Sequence, residues 1–192
     1  IVWISQTLKA DLFVRVAGGR DIDYQYTLPG DRVEDLRKIS GIAAVDLFRA
    51  QDISYNDKPA VLGSGDFEAL SRYGNLVIKS GPAAQELAAK MIGKDRAIIS
   101  ESFALKHKVG VGDPLYLETP KGATELNIVA VYYDYSRERG YIIVDRSTFV
   151  KYYSDTDVNS FVLYLINEHE LENVRQEILK TLGADYRLIV RS

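Results

Sequence analysis

The sequence predicts an α+β fold of two subdomains, in which a split β-α-β unit formed by both chain ends carries an inserted, mainly β part. Three features of the chain lead to it. Near the N-terminus an alternating apolar run precedes a helical stripe and a second apolar run. The same plan returns near the C-terminus. Between the two, glycines, prolines and short strand-like segments interrupt it.

Taken in order, Ile1, Ile4 and Leu8 have the spacing of a short leading helix, and Leu12, Val14 and Val16 alternate with Phe13 and Arg15 as a strand does. Pro29-Gly30 marks a turn. Asp31, with Glu34 three residues on, has the form of a helix-capping arrangement. Val33, Leu36 and Ile39 then line one face of a helix that stops at Gly41, and Ile42 to Phe48 follows as a strand. At the other end, Phe161 to Ile166 is a continuous apolar run, expected as a strand buried on both faces. Leu171, Val174, Ile178 and Leu182 form a helical stripe, Gly183 stands where a helix C-terminal glycine belongs, and Tyr186 to Val190 closes as a strand. Neither unit buries its sheet face alone, so the two are expected to pack as one split sheet backed by helices.

In the middle, Gly63, Gly65, Gly74, Gly81 and Pro82 read as the exit from the first unit. A helix over Ala83 to Met91, a strand at Ala97-Ile98-Ile99 and a helix from Ser100 to about His107 follow. Strands come next at Leu115 to Glu118, Glu125 to Tyr133 and Tyr141 to Val144. The expected division is 1–66 plus 158–192 for the end-built unit and 67–157 for the insert.

Composition narrows the function. The chain has 192 residues, 46% hydrophobic and 27% charged, which suits a folded core rather than disorder. A net charge of −3 argues against a nucleic-acid partner, and the cluster Arg137 to Arg139 is broken by Glu138. Absence of cysteine excludes disulfides, thiol catalysis and cysteine metal sites. The chain starts at Ile1 and its single Met is Met91, so an excised or processed piece is expected. No window approaches the roughly 18 apolar residues of a spanning helix, and no signal peptide is visible.

Catalytic groupings are weak. His107 and His169 fall at predicted helix ends with no His or Cys partner nearby. Asp134, Glu138 and Asp145 flank one predicted loop and could supply a hydrolytic carboxylate pair, although acidic residues at strand ends commonly hold turns. Asp155-Thr156-Asp157 lacks the further oxygens of a calcium loop. Gly63-Ser64-Gly65 is not a nucleophile elbow, Ser100 reads as a helix N-cap, and Gly110-Val111-Gly112 lacks the continuation of a phosphate loop. Catalytic, cofactor and metal residues are therefore expected to be none. Thirteen tyrosines, clustered at Tyr132-Tyr133-Asp134-Tyr135 and Tyr152-Tyr153, are expected to be about half core and half outward, where they would suit a partner.

Several motifs stand in an order that resembles a known family. They are Ile98-Ile99-Ser100-Glu101-Ser102-Phe103-Ala104, Val111-Gly112-Asp113, Thr119 to Gly122, Val131 to Tyr135, Gly140 to Tyr153 and Asp155 to Asn159, with Ala10 to Val14 as a first strand. From about Thr7 to the C-terminus the chain resembles the extracytoplasmic domain of MacB/FtsX-like ABC transporter permeases. The resemblance implies a porter-like β-α-β subdomain from the chain ends and an inserted, Sabre-like β-rich subdomain. It implies no enzyme activity and a place on the periplasmic or extracellular side of the bacterial cell membrane. The implied partners are the permease's own transmembrane helices, a cytoplasmic ATP-binding subunit, a periplasmic adaptor or substrate protein, and a second copy in a dimeric transporter. The implied task is to couple ATP-driven helix motion to that substrate or partner, in export, lipoprotein release or mechanotransmission.

Within this frame Gly112 is expected in a backbone conformation other residues avoid, with Asp113 accepting from free turn amides. Tyr135, Arg137, Glu138 and Arg139 are the expected contact surface. Two alternatives remain open on the residues alone: a periplasmic or secreted hydrolase using Asp134 and Asp145, and a free-standing ligand-binding module with the tyrosines as its platform.

Overall fold

A computed structural model of the chain describes residues 11–17, 24–134 and 139–192. The described strands are β1 (Leu12–Val16), β2 (Ile42–Tyr55), β3 (Lys58–Gly65), β4 (Ile78–Ser80), β5 (Arg96–Ser100), β6 (Pro114–Thr119), β7 (Gly122–Tyr132), β8 (Gly140–Asp145), β9 (Ser160–Leu165) and β10 (Leu188–Arg191). The α-helices are α1 (Val33–Arg37), α2 (Phe67–Tyr73), α3 (Leu87–Met91), α4 (Glu101–His107), α5 (Arg146–Tyr153) and α6 (Leu171–Thr181). All ten strands join in one sheet, ordered β10-β1-β9-β2-β3-β8-β5-β7-β4, with β6 paired to β7.

The ends interleave as the sequence predicts. β9 lies between β1 and β2 and is antiparallel to both, while β1 lies between β9 and β10. Each β-α-β unit thus leaves a slot that a strand of the other fills. Leu36, Val174, Ile178 and Leu182 from the helical side pack with Leu12, Val14, Val45, Leu47, Phe161 and Leu163 from the strands. Only one face of these strands meets α1 and α6. The other carries Phe13, Phe48, Val162 and Tyr164 into a second cluster with Phe67 and Leu70 of α2 and Met91 of α3. β9 is buried on both faces, which explains its continuous apolar run.

Several local expectations fail for identifiable reasons. The capping arrangement at Asp31 and Glu34 does not form: the chain enters α1 through a 3-10 turn over Gly30–Arg32 with no side-chain cap, and Glu34 pairs with Arg37 at 2.7 Å. Gly183 does not adopt a left-handed C-terminal conformation; it is glycine because a Cβ there would run into the carbonyl of Leu179. The strand expected to stop at Phe48 continues to Tyr55. Asn56 and Asp57, at φ 48° and 59°, make the tight hairpin turn that returns the chain as β3, so Gly63 and Gly65 lie inside a strand. Helices α2 and α5 were not expected either. Asp66 and Asp145 cap them, each accepting from the backbone N–H two residues on. The leading helix expected at Ile1 to Leu8 lies outside the described residues.

Ser100 is the helix cap expected of it, accepting from Phe103 N at 3.2 Å and also from Tyr141 N at 3.0 Å. Gly112 sits at φ +91°, and the Asp113 carboxylate accepts from Gly110 N at 2.8 Å. Both match the expectation for that turn.

Candidate functional site

The expected contact surface is described only at its edge. Tyr135, Arg137 and Glu138 lie outside the described residues. Arg139, where the chain enters β8, donates to Asp52 of β2 at 2.7 Å with both side chains largely in solvent. Tyr24 lies beside them, its phenol pushed well above the ordinary range by burial first and then by the nearby Tyr141 and Asp52. The base of this loop therefore abuts the distal half of β2.

Asp134 and Asp145 do not assemble as a carboxylate pair, and Glu138, the third candidate, lies outside the described residues. Asp134 precedes the loop and Asp145 ends β8, with the six-residue strand between them. At about 3.3 Å per residue they are separated by roughly 17 Å or more along the strand, well beyond the roughly 5–9.5 Å that glycosidic hydrolysis needs. Asp145 is also 4% exposed. It accepts from Phe67 N at 3.1 Å and Ser147 N at 3.0 Å, and from the Ser147 hydroxyl. One carboxylate thus holds the first turns of both α2 and α5. Asp134 and Asp145 flank no shared site.

What the structure does bring together is a junction in the middle of β2. The strand pairs with β9 through Phe48 and with β3 from Arg49 onward. The chain passes between the two parts of the sheet twice, at Phe48–Arg49 and along 154–159 between α5 and β9. Side chains of β2 alternate here: Val45 and Leu47 face the α1/α6 cluster, while Ala44, Phe48 and Ala50 face α2 and α3.

On the α2 face Asp46 is fully buried. Its Oδ1 accepts from Asp66 N at 2.6 Å, and its Oδ2 has no hydrogen-bond partner among the described residues. Burial pushes its carboxyl up to about 7, opposed first by the hydrogen bond from Asp66 N and then by the Arg146 charge, while the Asp66 and Asp145 carboxylates add to the rise. Gly65 permits this approach, since a Cβ there would sit about 3.3 Å from both Asp46 oxygens. Ser160 Oγ, Arg146 Nη1 and Tyr164 Oη are also buried without a hydrogen bond among the described residues. Burial lowers the Arg146 guanidinium and raises the Tyr164 phenol.

On the opposite face Arg49 makes five hydrogen bonds. Its guanidinium donates from Nε and Nη2 to Asp155 at 3.2 and 3.1 Å, and from Nη1 to the Tyr24 carbonyl, the Ala50 carbonyl and Asn159 Oδ1 at 3.1, 2.9 and 3.1 Å. Asn159 accepts from Ala50 N at 2.7 Å and donates to the Tyr24 and Tyr26 carbonyls. Sequence reasoning passed over Arg49 and Asp46, and met Asn159 only as the end of the Asp155–Asn159 motif. A lone charge inside an apolar strand, as in Val45-Asp46-Leu47, was the signal available for Asp46.

The remaining candidates resolve as packing. His107 stands against Phe103 and Tyr55, ring centroids 4.3 and 4.9 Å away, and burial beside Lys58 and Lys106 holds its imidazole below the ordinary value. Among the described residues no three His, Cys, Asp or Glu side chains gather to hold a metal ion. Tyr132 points in and Tyr133 out, as alternation demands. Tyr152 and Tyr153, however, lie on α5, with Tyr153 stacked on Phe149. A groove of about 430 Å³ between α1 and α6 is lined by Asp35, Lys38, Glu170 and Glu177.

The fold is similar to those of extracytoplasmic domains of two ABC transporters. The periplasmic region of MacB from Actinobacillus actinomycetemcomitans superposes with a TM-score of 0.67 at 15% identity, covering 98% of this chain and 91% of that one. The extracellular domain of YknZ, a noncanonic ABC-type transporter from Gram-positive bacteria, superposes with a TM-score of 0.65 at 11% identity, covering 94% and 99%. In sequence, 170 residues are 24% identical to an uncharacterised ABC transporter permease protein of Mycobacterium tuberculosis. The chain matches over 85% of its own length but spans only 19% of that relative. No family model matches the chain. No described helix is long and apolar enough to cross a membrane.

Proposed function

We propose that this chain is the extracytoplasmic domain of an ABC transporter permease, on the periplasmic or extracellular face of the bacterial cell membrane, and that it passes ATP-driven motion of membrane helices to a substrate or partner protein. The observation that supports it most is near end-to-end agreement in fold with the MacB periplasmic region, from both sides of the superposition. The permease relative agrees with it, and its much greater length leaves room for membrane helices outside the region matched. In this reading the chain ends, expected as 1–66 with 158–192, build a porter-like part and 67–157 the insert, and from Arg49 onward the distal half of β2 and all of β3 pair into the insert's side of the sheet. It works with a cytoplasmic ATP-binding subunit, as one of two copies. The loop of Tyr135, Arg137, Glu138 and Arg139 meets the partner.

These 192 residues contain no cysteine, so a thiol introduced here is the only one in the domain, and the parent protein controls for thiols elsewhere. Lys121→Cys, at an exposed hairpin turn, is placed in the full-length protein in intact cells and treated with a membrane-impermeant maleimide. Labelling above the parent protein is the expected result. Labelling that appears only after lysis contradicts the proposed location.

A further inference from the structure

We propose that Arg49 is a lock on a hinge, joining the two crossings of the chain so that both parts of the sheet move as one body. Among the described residues, the crossings at Phe48–Arg49 and 154–159 are the covalent links between β10, β1, β9 and residues 42–48 of β2 on one side and the rest of β2 through α5 on the other. Two links define an axis about which the parts could swing. Arg49 sits on the first and grips the second through Asp155 and Asn159. Asn159 in turn holds the first at Ala50 N. Tyr24 and Tyr26 carbonyls are drawn into the same node, so three separate stretches of chain meet there.

The lock is needed on this face in particular. On the other face of β2, Phe13, Phe48 and Val162 share one apolar cluster with Phe67, Leu70 and Met91, which resists separation. Apolar contact has little directional preference, so it tolerates sliding and tilt. A guanidinium fork with fixed donor directions does not. The Arg49 side chain is 13% exposed and Asp155 30%, which weakens competition from water. Removing the lock therefore leaves the α2 face as the pivot and the Arg49 face free to open.

The test uses the 192-residue chain with spin labels on Glu177→Cys of α6 and Lys121→Cys of the β6–β7 turn, both exposed. The locked chain gives one narrow distance distribution. Arg49→Ala and Asn159→Ala lose that single narrow distance while the chain keeps its folded circular-dichroism spectrum. Gly112→Val, destabilising but remote from the axis, keeps it. Should Arg49→Ala not fold, Asp155→Asn removes one charge from the grip and reads the same way. A distribution as narrow as the parent's in folded Arg49→Ala or Asn159→Ala, or in the Asp155→Asn substitute, overturns the proposal. None of these results depends on membrane location, so failure here and failure of the permease reading are distinguishable.

Discussion

The two faces of β2 hold the same junction by opposite means. Toward α2 and α3 the contact is an apolar cluster with a buried, half-satisfied carboxylate in it; toward the 154–159 crossing it is a guanidinium with hydrogen bonds from Nε, Nη1 and Nη2. The first supplies free energy by removing surface from water and is indifferent to small displacements. The second contributes less net stability but fixes direction. The proposed transmission of motion would require both, because a stable junction that tilts would absorb the motion it receives.

The largest effect is expected on the apolar face. Phe67→Ala empties a fully buried position between the halves and should lower stability by about 3–5 kcal/mol in urea unfolding. A loss near that of a surface substitution would mean the cluster does not bear on the junction.

Asp46→Asn comes next and depends on pH. The folded chain keeps a proton on Asp46 that the unfolded chain releases as pH rises from about 4 to about 7. The parent's stability therefore falls across that window and levels above it, by roughly 2–4 kcal/mol in all. Asn cannot ionise but still accepts from Asp66 N, so the variant should match the parent near pH 4 and exceed it at pH 8. Equal slopes for the two chains across the window would show that Asp46 is ionised in the folded state.

Gly112→Val is smaller, about 1–3 kcal/mol, because φ +91° is strained for valine while nothing lies within 4 Å to clash with its Cβ. An unchanged melting temperature contradicts that account of the turn. Arg139→Ala should change stability by less than about 1 kcal/mol, as expected for an exposed pair with Asp52. A larger loss would place the loop base in the core and remove it as a contact surface.

How much of this was legible depends on the range of each interaction. The end-built unit was readable because Leu171, Val174, Ile178 and Leu182 write their helix locally, and Phe161 to Leu165 their strand. The Gly112-Asp113 turn and the Ser100 cap were readable for the same reason. β3 was missed because its glycines answer to distant neighbours: Gly63 makes room for Ile143 and Gly65 for Asp46. The hairpin signal was present in Asn56-Asp57 and was overlooked. Helix α5 was hidden because Asp145 looked like a loop carboxylate, when its acceptors serve two helices 78 and two residues away. The junction was illegible in principle from local pattern. Arg49 meets Asp155 and Asn159 across 106 and 110 residues, and no periodicity encodes that pairing.

The most direct test of the central claim uses the full-length protein in membranes, with one spin-label pair inside the domain, at Lys121 and Glu177, and a single label at Lys121 reporting the distance between copies. The account predicts that ATP binding shifts the distance between copies and leaves the distance inside the domain unchanged. A change inside the domain, or no change between copies, would contradict it.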